Sequence, residues 1–292
     1  MIISRLYGGL GNQMFQYALG RALAVKNNTS LGLDVEMLLD RTPRKNFTYR
    51  DYDLDIFNIR AEIINQSQTP FRYKKIGKGI VSLYMHKLRK KLFPSKGIET
   101  NYHFNESILS LGDNTYLSGY WQSYKYFESI ADIIRKDFTL LQELPQHIQT
   151  LKEEIISKNS VCLHVRRGDY VGSVRHEVVG VDYYKKAIEI VSNKTIIDHI
   201  YVFSNDAQWC EENLSFGYPM TVVGEEYRGY KESGHFELMR ACKHAIIANS
   251  SFSWWAAWLG DYSDKVIVAP KKWFGDTDME TPDLIPKEWI RI

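Results

Sequence analysis

The C-terminal half of the chain alternates between short apolar runs rich in β-branched residues and stretches with apolar residues at helical spacing. The predicted strands are 161–165, 200–204, 220–223, 245–248 and 266–269. The predicted helices between them are 182–192, 207–213, 236–243 and 253–259. Strands that alternate with helices predict an α/β fold with a doubly wound parallel sheet.

The N-terminal half opens with a β-α-β pattern. A strand over 2–6 is followed by a glycine-rich turn, and Asn12 is placed to cap a helix that ends near Lys26. A second strand over 30–33 ends at Asp34. Further elements are predicted at 116–120 (strand), 124–136 (helix) and 146–157 (helix). The Leu144-Pro145 pair interrupts the pattern, so we predict domains at 1–145 and 146–292.

Composition restricts the class of protein only loosely. A chain of 292 residues with 44% hydrophobic residues is long enough for two domains with their own cores. The net charge of +2 gives no support for nucleic-acid binding. The three cysteines are far apart and lack metal-ligand spacing, which favours a reducing compartment. We expect neither a signal peptide nor a membrane-spanning helix, since no sufficiently long apolar run occurs.

The segment His-Val-Arg-Arg-Gly-Asp-Tyr at 164–170 carries the strongest chemical pattern in the chain. It lies where a predicted buried strand ends, and open α/β sheets bind ligands at the carboxyl ends of their strands. Arginine grips phosphate with a planar, bidentate fork. The segment therefore predicts an anion-binding, nucleotide-type strand end. Its composition alone leaves open a surface salt bridge between Asp169 and Arg166 or Arg167.

A glycine-rich loop, Gly-Leu-Gly-Asn-Gln-Met at 9–14, follows the first strand. Asp34 lies at the distance that the dinucleotide-binding fingerprint requires, but Met14 stands where its third glycine belongs. The phosphate-loop pattern also fails, because no Gly-Lys-Ser/Thr follows. Two interpretations remain: a plain tight turn, or a loop and helix N-terminus that approach a phosphate or a sugar.

Two more predicted strand ends carry suitable side chains. Asp206 follows the strand at 200–204, where it either caps the next helix or accepts hydrogen bonds from a nucleoside. The segment Asn-Ser-Ser-Phe-Ser-Trp-Trp at 249–255 places small hydroxyls at a helix N-terminus, which suits phosphate. We predict that Trp254, Trp255 and Trp258 belong to the core.

Asp-x-Asp strings occur at 51–53, 53–55 and 276–278, a pattern that can hold Mg²⁺ or Mn²⁺. None follows a clear apolar strand, so we interpret them as turns. A separate feature is the stretch 63–98, which contains nine lysines or arginines, among them Lys87, and no acid. It is either a solvated basic face or a surface that docks on an anionic membrane or glycan.

Four segments together resemble the signature blocks of bacterial α-1,2-fucosyltransferases. They occur in the family's order and span almost the whole chain, with the segment at 164–170 the most specific. The segments are 8–18 (Gly-Gly-Leu-Gly-Asn-Gln-Met-Phe-Gln-Tyr-Ala), 164–170, 203–206 (Phe-Ser-Asn-Asp) and 249–256 (Asn-Ser-Ser-Phe-Ser-Trp-Trp-Ala). Residues 60–115 carry no such block.

The resemblance implies a GT-B-like fold, with two Rossmann-like domains and the active site in the cleft between them. The N-terminal domain would lie on the acceptor side, and the C-terminal domain would bind the donor. It implies transfer of L-fucose from GDP-β-L-fucose, with inversion, to a sugar hydroxyl on a galactose-containing and in some cases lipid-linked glycan. No metal or other cofactor is expected. The expected location is the cytoplasm, with peripheral contact at the inner face of the membrane through 63–98.

The same resemblance implies the roles of individual residues. Arg166 would hold the β-phosphate of the donor. Asp169 is the first candidate for a general base, or it orients an arginine, and His164 is the second candidate. The implied donor-binding set comprises Gly9, Gly11, Asn12, Gln13, Arg166, Arg167, Asp206, Ser250, Ser251 and Phe252.

Other functions remain open at the level of sequence. One is a fucosyltransferase of another linkage, such as α-1,6 transfer or protein O-fucosylation. Another is a non-catalytic glycan- or nucleotide-binding protein, although such a protein would not need the arginine clamp at a leaving group. A nicotinamide-dependent oxidoreductase is disfavoured by the missing third glycine.

Overall fold

The computed structural model describes residues 1–43, 48–64, 97–174, 179–275 and 279–292, and it excludes the side chain of Asp169. Most of the basic stretch 63–98 therefore lies outside the described residues. The chain divides into two compact units, Met1–Phe138 (unit 1) and Thr139–Ile292 (unit 2). The predicted boundary lies at the Leu144-Pro145 pair, whereas the two units divide earlier, after Phe138. The loop that contains this pair therefore belongs to unit 2.

Unit 1 contains a parallel sheet with the strand order β3-β2-β1-β4. Its elements are β1 (Ile2–Arg5), α1 (Leu10–Lys26), β2 (Leu31–Asp34), α2 (Glu36–Leu39), β3 (Glu62–Ile63), β4 (Tyr116–Leu117) and α3 (Ala131–Asp137). The predicted β-α-β opening is present. The predicted helix over 124–136 is shorter, because short 3₁₀ turns occupy its first half.

Helix α1 begins earlier than predicted. Gly9, not Asn12, is the N-cap residue, and no side chain caps the helix. The chain can enter the helix this early because Gly8 adopts a φ of +83°, a left-handed conformation that side chains disfavour. Asn12 instead accepts a hydrogen bond from Gln122 Nε2 (2.8 Å). The predicted cap was therefore wrong, and Asn12 links the first turn of α1 to the segment after β4.

Unit 2 contains a second parallel sheet, with the order β10-β9-β8-β5-β6-β7. Its strands are β5 (Ser160–Val165), β6 (His199–Ser204), β7 (Met220–Val222), β8 (His244–Ile246), β9 (Ile267–Ala269) and β10 (Ile290–Arg291). Its helices are α4 (Gln146–Ser157), α5 (Val181–Ser192), α6 (Ala207–Asn213), α7 (Ser233–Ala241) and α8 (Ser251–Leu259). The predicted alternation of strands and helices is confirmed. Strands β3 and β10 were not predicted, because they are too short to show a hydrophobic period.

The strand order of unit 2 is that of a Rossmann sheet. The chain enters at the central strand β5, continues to β6 and β7 on one side, and then returns to β8, β9 and β10 on the other. The order therefore reverses between β5 and β8, which is the switch point where such sheets bind ligands. Every residue of β5 is buried, as expected for a strand with neighbours on both sides.

The tryptophan-rich helix α8 packs into the core of unit 2. Trp254 and Trp255 are fully buried, and Trp254 Nε1 donates a hydrogen bond to the Leu284 carbonyl (2.9 Å). The half-buried Trp258 stacks on Trp254 with ring centroids 6.2 Å apart. The prediction that these residues belong to the core is confirmed. Within the described ranges, no helix is both long and apolar enough to cross a membrane.

Candidate functional site

Three of the sequence motifs meet at one edge of the unit 2 sheet. The segment with Arg166 follows β5, Asn205 and Asp206 follow β6, and the segment 249–255 follows β8. These strands are adjacent and parallel, and Val165 pairs with Ser204 in register. Their carboxyl ends therefore lie side by side, and the switch point between β5 and β8 falls among the motifs.

The N-terminus of α8 supplies backbone donors at this switch point. Ser250 is its N-cap residue in an extended conformation, and the helix has no side-chain cap. The first N–H groups of a helix have no intrahelical acceptor and carry the positive end of the helix dipole. A helix N-terminus of this kind binds phosphate well. The predicted residues Ser250, Ser251 and Phe252 lie at this helix start.

Arg167 is held by two contacts from the neighbouring strand end. Its Nε lies 3.1 Å from Asp206 Oδ2, and its guanidinium carbon lies 3.9 Å from the ring centroid of Trp209. The other carboxylate oxygen of Asp206 accepts a hydrogen bond from the Trp209 N–H (3.3 Å) and so caps α6. The capping interpretation of Asp206 is confirmed. Asp206 thus positions Arg167 as well as the helix.

A second contact joins the loops after β5 and β6. The backbone N–H of Arg167 donates to Asn205 Oδ1 (3.0 Å). Gly168 leaves room for this contact, since a Cβ at that position would lie 2.1 Å from Asn205 Nδ2. Its φ of +22° is also one that side chains rarely adopt. The glycine of the arginine segment is therefore required by packing as well as by backbone conformation.

Arg166 lies over a tyrosine that connects the two strands of the switch point. Its guanidinium carbon is 5.4 Å from the ring centroid of Tyr170. The Tyr170 hydroxyl in turn donates to the backbone carbonyl of Asn249, which follows β8 (3.2 Å). Arg166 is half-buried, so part of its side chain remains accessible to an anion. The final tyrosine of the motif thus holds the arginine region against the start of α8.

His164 lies in a setting that suits packing better than proton transfer. It is buried, and burial, followed by the charge on Arg166 and the nearby His235, lowers its pKa to about 3. The imidazole is therefore neutral at physiological pH. Because so weak a base takes up few protons near pH 7, this environment argues against His164 as the general base. The side chain of the other candidate, Asp169, lies outside the described residues.

In unit 1, two glutamines of the glycine-loop motif fasten the loop to its surroundings. Gln13 Nε2 donates to the carbonyls of Gly8 (3.0 Å) and Asp51 (2.8 Å), and its Oε1 accepts from the Asp53 N–H (2.9 Å). Gln16 exchanges two hydrogen bonds with the backbone of Tyr7 (3.0 and 3.1 Å). Both glutamine side chains are buried. Gln13 therefore holds the loop in shape, and the donor contact that the resemblance implies for it stays a prediction.

The two predicted glycines of this loop have different surroundings. Gly9 has a φ of −78° and ψ of 179°, and a Cβ built on it would meet no atom within 4 Å. Gly11 is buried in the first turn of α1. The space beside Gly9 is open, so another molecule can approach the backbone there. Gly8, which was not in the predicted set, is the position where the conformation requires glycine.

Unit 1 also contains a polar and aromatic group that the sequence did not reveal. Tyr7 follows β1 and Tyr120 follows β4, and their rings meet edge to face. The carboxylate of Glu99 accepts hydrogen bonds from the backbone N–H groups of Tyr120 and Trp121. Glu99 belongs to the segment without a recognised motif. Its partners are 21 and 22 positions away in the chain, so no local pattern could have indicated the contact.

The two units each contain a parallel sheet of the Rossmann type, and together they define a protein of the GT-B glycosyltransferase fold. The chain belongs to glycosyl transferase family 11, whose model matches residues 2–292. The predicted family and fold class are both confirmed.

Curated relatives match over nearly the full length of the chain. An alpha-1,2-colitosyltransferase of Escherichia coli is 31% identical over 299 residues, covering 100% of this chain and 99% of the relative. The O-antigen biosynthesis glycosyltransferase WbnK of Escherichia coli is 33% identical and covers 99% of each. Galactoside alpha-(1,2)-fucosyltransferase 1 of Rattus norvegicus is 26% identical over 90% of this chain and 64% of the relative.

A solved structure has the same fold. The crystal structure of fucosyltransferase NodZ from Bradyrhizobium aligns with a TM-score of 0.52, covering 87% of this chain and 91% of that chain. The two sequences are 16% identical, so the likeness concerns the fold alone.

Proposed function

We propose that the protein is an inverting galactoside α-1,2-fucosyltransferase that moves L-fucose from GDP-β-L-fucose to a galactose hydroxyl. The observation that carries this proposal is the convergence of Arg166 and the N-terminus of α8 at the switch point of the unit 2 sheet. Membership of family 11 supports the inference that an anion bound at that point would be the diphosphate of a sugar donor. Relatives with α-1,2 activity in their names support the linkage.

The proposed reaction is a single displacement. The acceptor hydroxyl oxygen attacks C1 of fucose and its proton passes to a general base, for which Asp169 is the candidate that the resemblance implies. The bond from C1 to the β-phosphate oxygen breaks at the same time, and GDP leaves with the electron pair. Negative charge therefore grows on the phosphate in the transition state. A guanidinium and helix N–H groups already in position stabilise that charge more than the ground state. We assign the contact with the β-phosphate to Arg166 and the backbone contacts to the start of α8.

We assign the remaining donor contacts from the family resemblance and from the surroundings of each side chain. Arg167, held by Asp206 and Trp209, adds a second fixed positive charge near the strand ends. In unit 1, we assign further contacts with the sugar donor to the backbone of Gly9 and to Gly11 and Asn12 in the first turn of α1, as the resemblance implies. We assign Gln13 and Asp206 to positioning, because their polar atoms contact the loop backbone and Arg167, respectively.

A second candidate differs in the donor sugar. The full-length similarity to an alpha-1,2-colitosyltransferase favours GDP-colitose as an alternative donor. Colitose is fucose without the 3-hydroxyl, so both donors present the same diphosphate to Arg166 and α8. Only a protein contact at the 3-position of the sugar would discriminate between the two donors. The two candidates therefore share a mechanism and differ in one hydroxyl.

The proposal is tested by incubating the purified protein with GDP-fucose, or with GDP-colitose, and lactose. Release of GDP together with a trisaccharide that contains an α-1,2 bond to galactose is the expected result. Ratios of kcat/KM then identify the preferred donor, and a panel of galactose-terminated glycans identifies the acceptor. Another linkage in the product would correct the assignment. GDP binding without transfer to any acceptor of the panel would indicate a non-catalytic binding protein.

We expect turnover to be unchanged by EDTA. The carboxylate of Asp51 pairs with Arg41, and Asp53 contacts Gln13, so neither side chain is arranged around a common point. No group of three potential metal-ligating side chains occurs in the described part of the chain. Asp276 and Asp278 lie outside it. The initial rate is measured in EDTA and then with added Mn²⁺ or Mg²⁺; strict dependence on either ion would contradict the proposal and direct attention to 276–278.

We also propose that the protein acts in the cytoplasm and that the basic stretch 63–98 brings it to an anionic membrane face, where a lipid-linked acceptor would be available. This prediction rests on the sequence and on the O-antigen role in the name of one relative. Each cation near such a surface contributes about 1 kcal/mol, screened by salt. A variant with Lys87, Arg89, Lys90 and Lys91 changed to Gln should co-sediment less with anionic vesicles at low salt. Equal partitioning of both proteins would contradict the proposal.

A further inference from the structure

Unit 2 contains a groove with a volume of about 730 Å³ that lies apart from the donor motifs. It is bounded by the segment 139–144, one face of α4, the last turn of α7 and the residues after α8. Helices α7 and α8 both end at the groove and lead into the strands β8 and β9. The groove therefore lies toward the end of the sheet where these strands begin, whereas the donor motifs follow the carboxyl ends of the strands.

Helix α4 contacts the core with one face and lines the groove with another. Ile148, Leu151 and Ile155 are buried and form the core face. The residues of α4 that line the groove are Gln149, Lys152, Glu153 and Ile156. Their spacing of three and four positions places them on one side of the helix. A second chain can pack against a helix face of this kind, because the core of unit 2 does not cover it.

Apolar side chains in the groove are exposed to solvent. Leu141 is 59% exposed and Ile156 is 46% exposed. Leu140 and Leu144 also line the groove and are half-buried. Apolar side chains that are exposed together at one place commonly mark a site of interaction. The groove thus offers apolar surface to a ligand.

The two cationic side chains of the groove are engaged by a buried carboxylate. Glu237 Oε2 accepts a hydrogen bond from Lys152 Nζ (2.8 Å), and its Oε1 accepts one from Arg240 Nη1 (3.2 Å). Glu237 is 6% exposed, so its charge would be costly to leave without partners. Lys152 and Arg240 therefore serve this carboxylate, and an anionic ligand would have to compete with it.

Three further carboxylates of the groove face solvent. Glu143, Glu153 and Asp261 are exposed, and none has an ion-pair partner among the described residues. Helices α7 and α8 also end here, at Ala241 and Leu259, and the C-terminal end of a helix carries partial negative charge. The groove therefore attracts cationic groups and repels anionic ligands. We call it the acidic groove.

The arrangement of these charges favours a peptide over a single cation. Glu143 precedes α4, Glu153 lies on α4, and Asp261 follows α8. The described part of the chain has no group of three acidic, histidine or cysteine side chains that could hold one metal ion, so the three carboxylates do not surround a common point. A chain with several cationic side chains can reach carboxylates on separate elements. Its apolar side chains would cover the exposed leucine and isoleucine.

We propose that the acidic groove binds a basic amphipathic peptide segment of a partner protein. Lysine or arginine side chains of the partner pair with Glu143, Glu153 and Asp261. Leucine-like side chains pack on Leu141 and Ile156, in the manner of amphipathic helices that bind in grooves. The inference goes beyond the proposed transferase function and does not depend on it. Because the groove and the donor motifs lie toward opposite ends of the sheet, a partner can occupy the groove without covering the donor motifs.

The probe for this site is a fluorescein-labelled peptide of about 16 residues, in which leucine and lysine are arranged on opposite faces of a helix. Fluorescence anisotropy with the full chain should show saturable binding at low salt. Binding should weaken about ten-fold in 0.5 M NaCl, because salt screens exposed charges. A peptide with glutamate in place of each lysine should not bind. A peptide with serine in place of each leucine should bind about five-fold more weakly, since it buries less apolar surface.

Two pairs of variants assign the binding to the groove. Glu153→Gln is compared with Glu189→Gln, an exposed carboxylate on α5, and Leu141→Ser with Ile196→Ser. Ile196 is 79% exposed and lies outside the groove. Each groove variant should weaken binding of the leucine–lysine peptide about five-fold, and the controls should bind as wild type does. All four side chains are exposed, so melting temperatures and calorimetric GDP affinity should stay unchanged.

Three results would overturn the proposal. Groove variants that bind the peptide as well as their controls would exclude this site. Equal binding of the leucine–lysine and serine–lysine peptides would show attraction by charge alone. Sedimentation equilibrium is the third measurement, and wild type should be a monomer by it. A wild-type dimer that dissociates in Leu141→Ser, but not in Ile196→Ser, would identify a second copy of the chain as the occupant in place of a partner protein.

Discussion

Arg166→Lys should lower kcat by about 10²–10³-fold while the protein remains folded. Lysine keeps the positive charge but presents a single ammonium in place of a planar fork, so it cannot hold two phosphate oxygens at once. The loss should appear mainly in kcat, because the charge that Arg166 stabilises develops as GDP leaves. The measurement is steady-state transfer from GDP-fucose, with calorimetric GDP binding in parallel.

Arg228→Lys is the matched control for this variant. Arg228 lies in the same unit, is about half exposed, and pairs with Glu225 and Glu232 on the surface. Surface ion pairs contribute little to stability, and a lysine replaces the arginine in them readily. The control should keep wild-type rates and melting temperature. Comparable activity of Arg166→Lys and this control would contradict the assignment of Arg166 to the β-phosphate.

The second large effect is expected from a pair of neighbouring glycines, Gly8 and Gly9. Gly9→Ala should leave stability unchanged, because alanine readily adopts its extended conformation and the new Cβ meets no atom. If the donor approaches this backbone, the added methyl group displaces it, and a displacement of about 1 Å costs on the order of 10²-fold in rate. The expected result is a normally stable protein whose transfer rate is about 10²-fold lower than that of wild type.

Gly8→Ala, in contrast, should lower the stability of the folded protein. A left-handed residue with a side chain costs about 1–2 kcal/mol, and the new Cβ would also press on the side chain of Asn12. We expect the melting temperature to fall by several degrees. Both expectations are checked by measuring the melting temperature and the transfer rate of each variant. Full activity of Gly9→Ala would remove the glycine loop from the donor site, and an unchanged melting temperature of Gly8→Ala would contradict the strain argument.

Much of the fold could be predicted because its elements have local causes. Helix α4 and helix α6 agree with the prediction residue for residue, since their apolar spacing and flanking residues lie within a few positions of each other. Strand β5 was recognisable as a continuous apolar run. The very short strands β3 and β10 were not, because a pair of residues carries no periodicity and is defined only by its neighbour in the sheet.

The sequence by itself determined the class of the protein, the alternation of strands and helices, and the four segments that resemble the family. Those features depend on residue type and on spacing within short windows. Tertiary structure alone decided which distant side chains meet within each unit: in unit 2 Asp206 holds Arg167 and Tyr170 joins two strand ends, and in unit 1 Gln13 fastens the glycine loop to Asp51. It also brought Glu99 to the backbone after β4. Such contacts join residues tens of positions apart, and only the pairing order of the strands determines their distance.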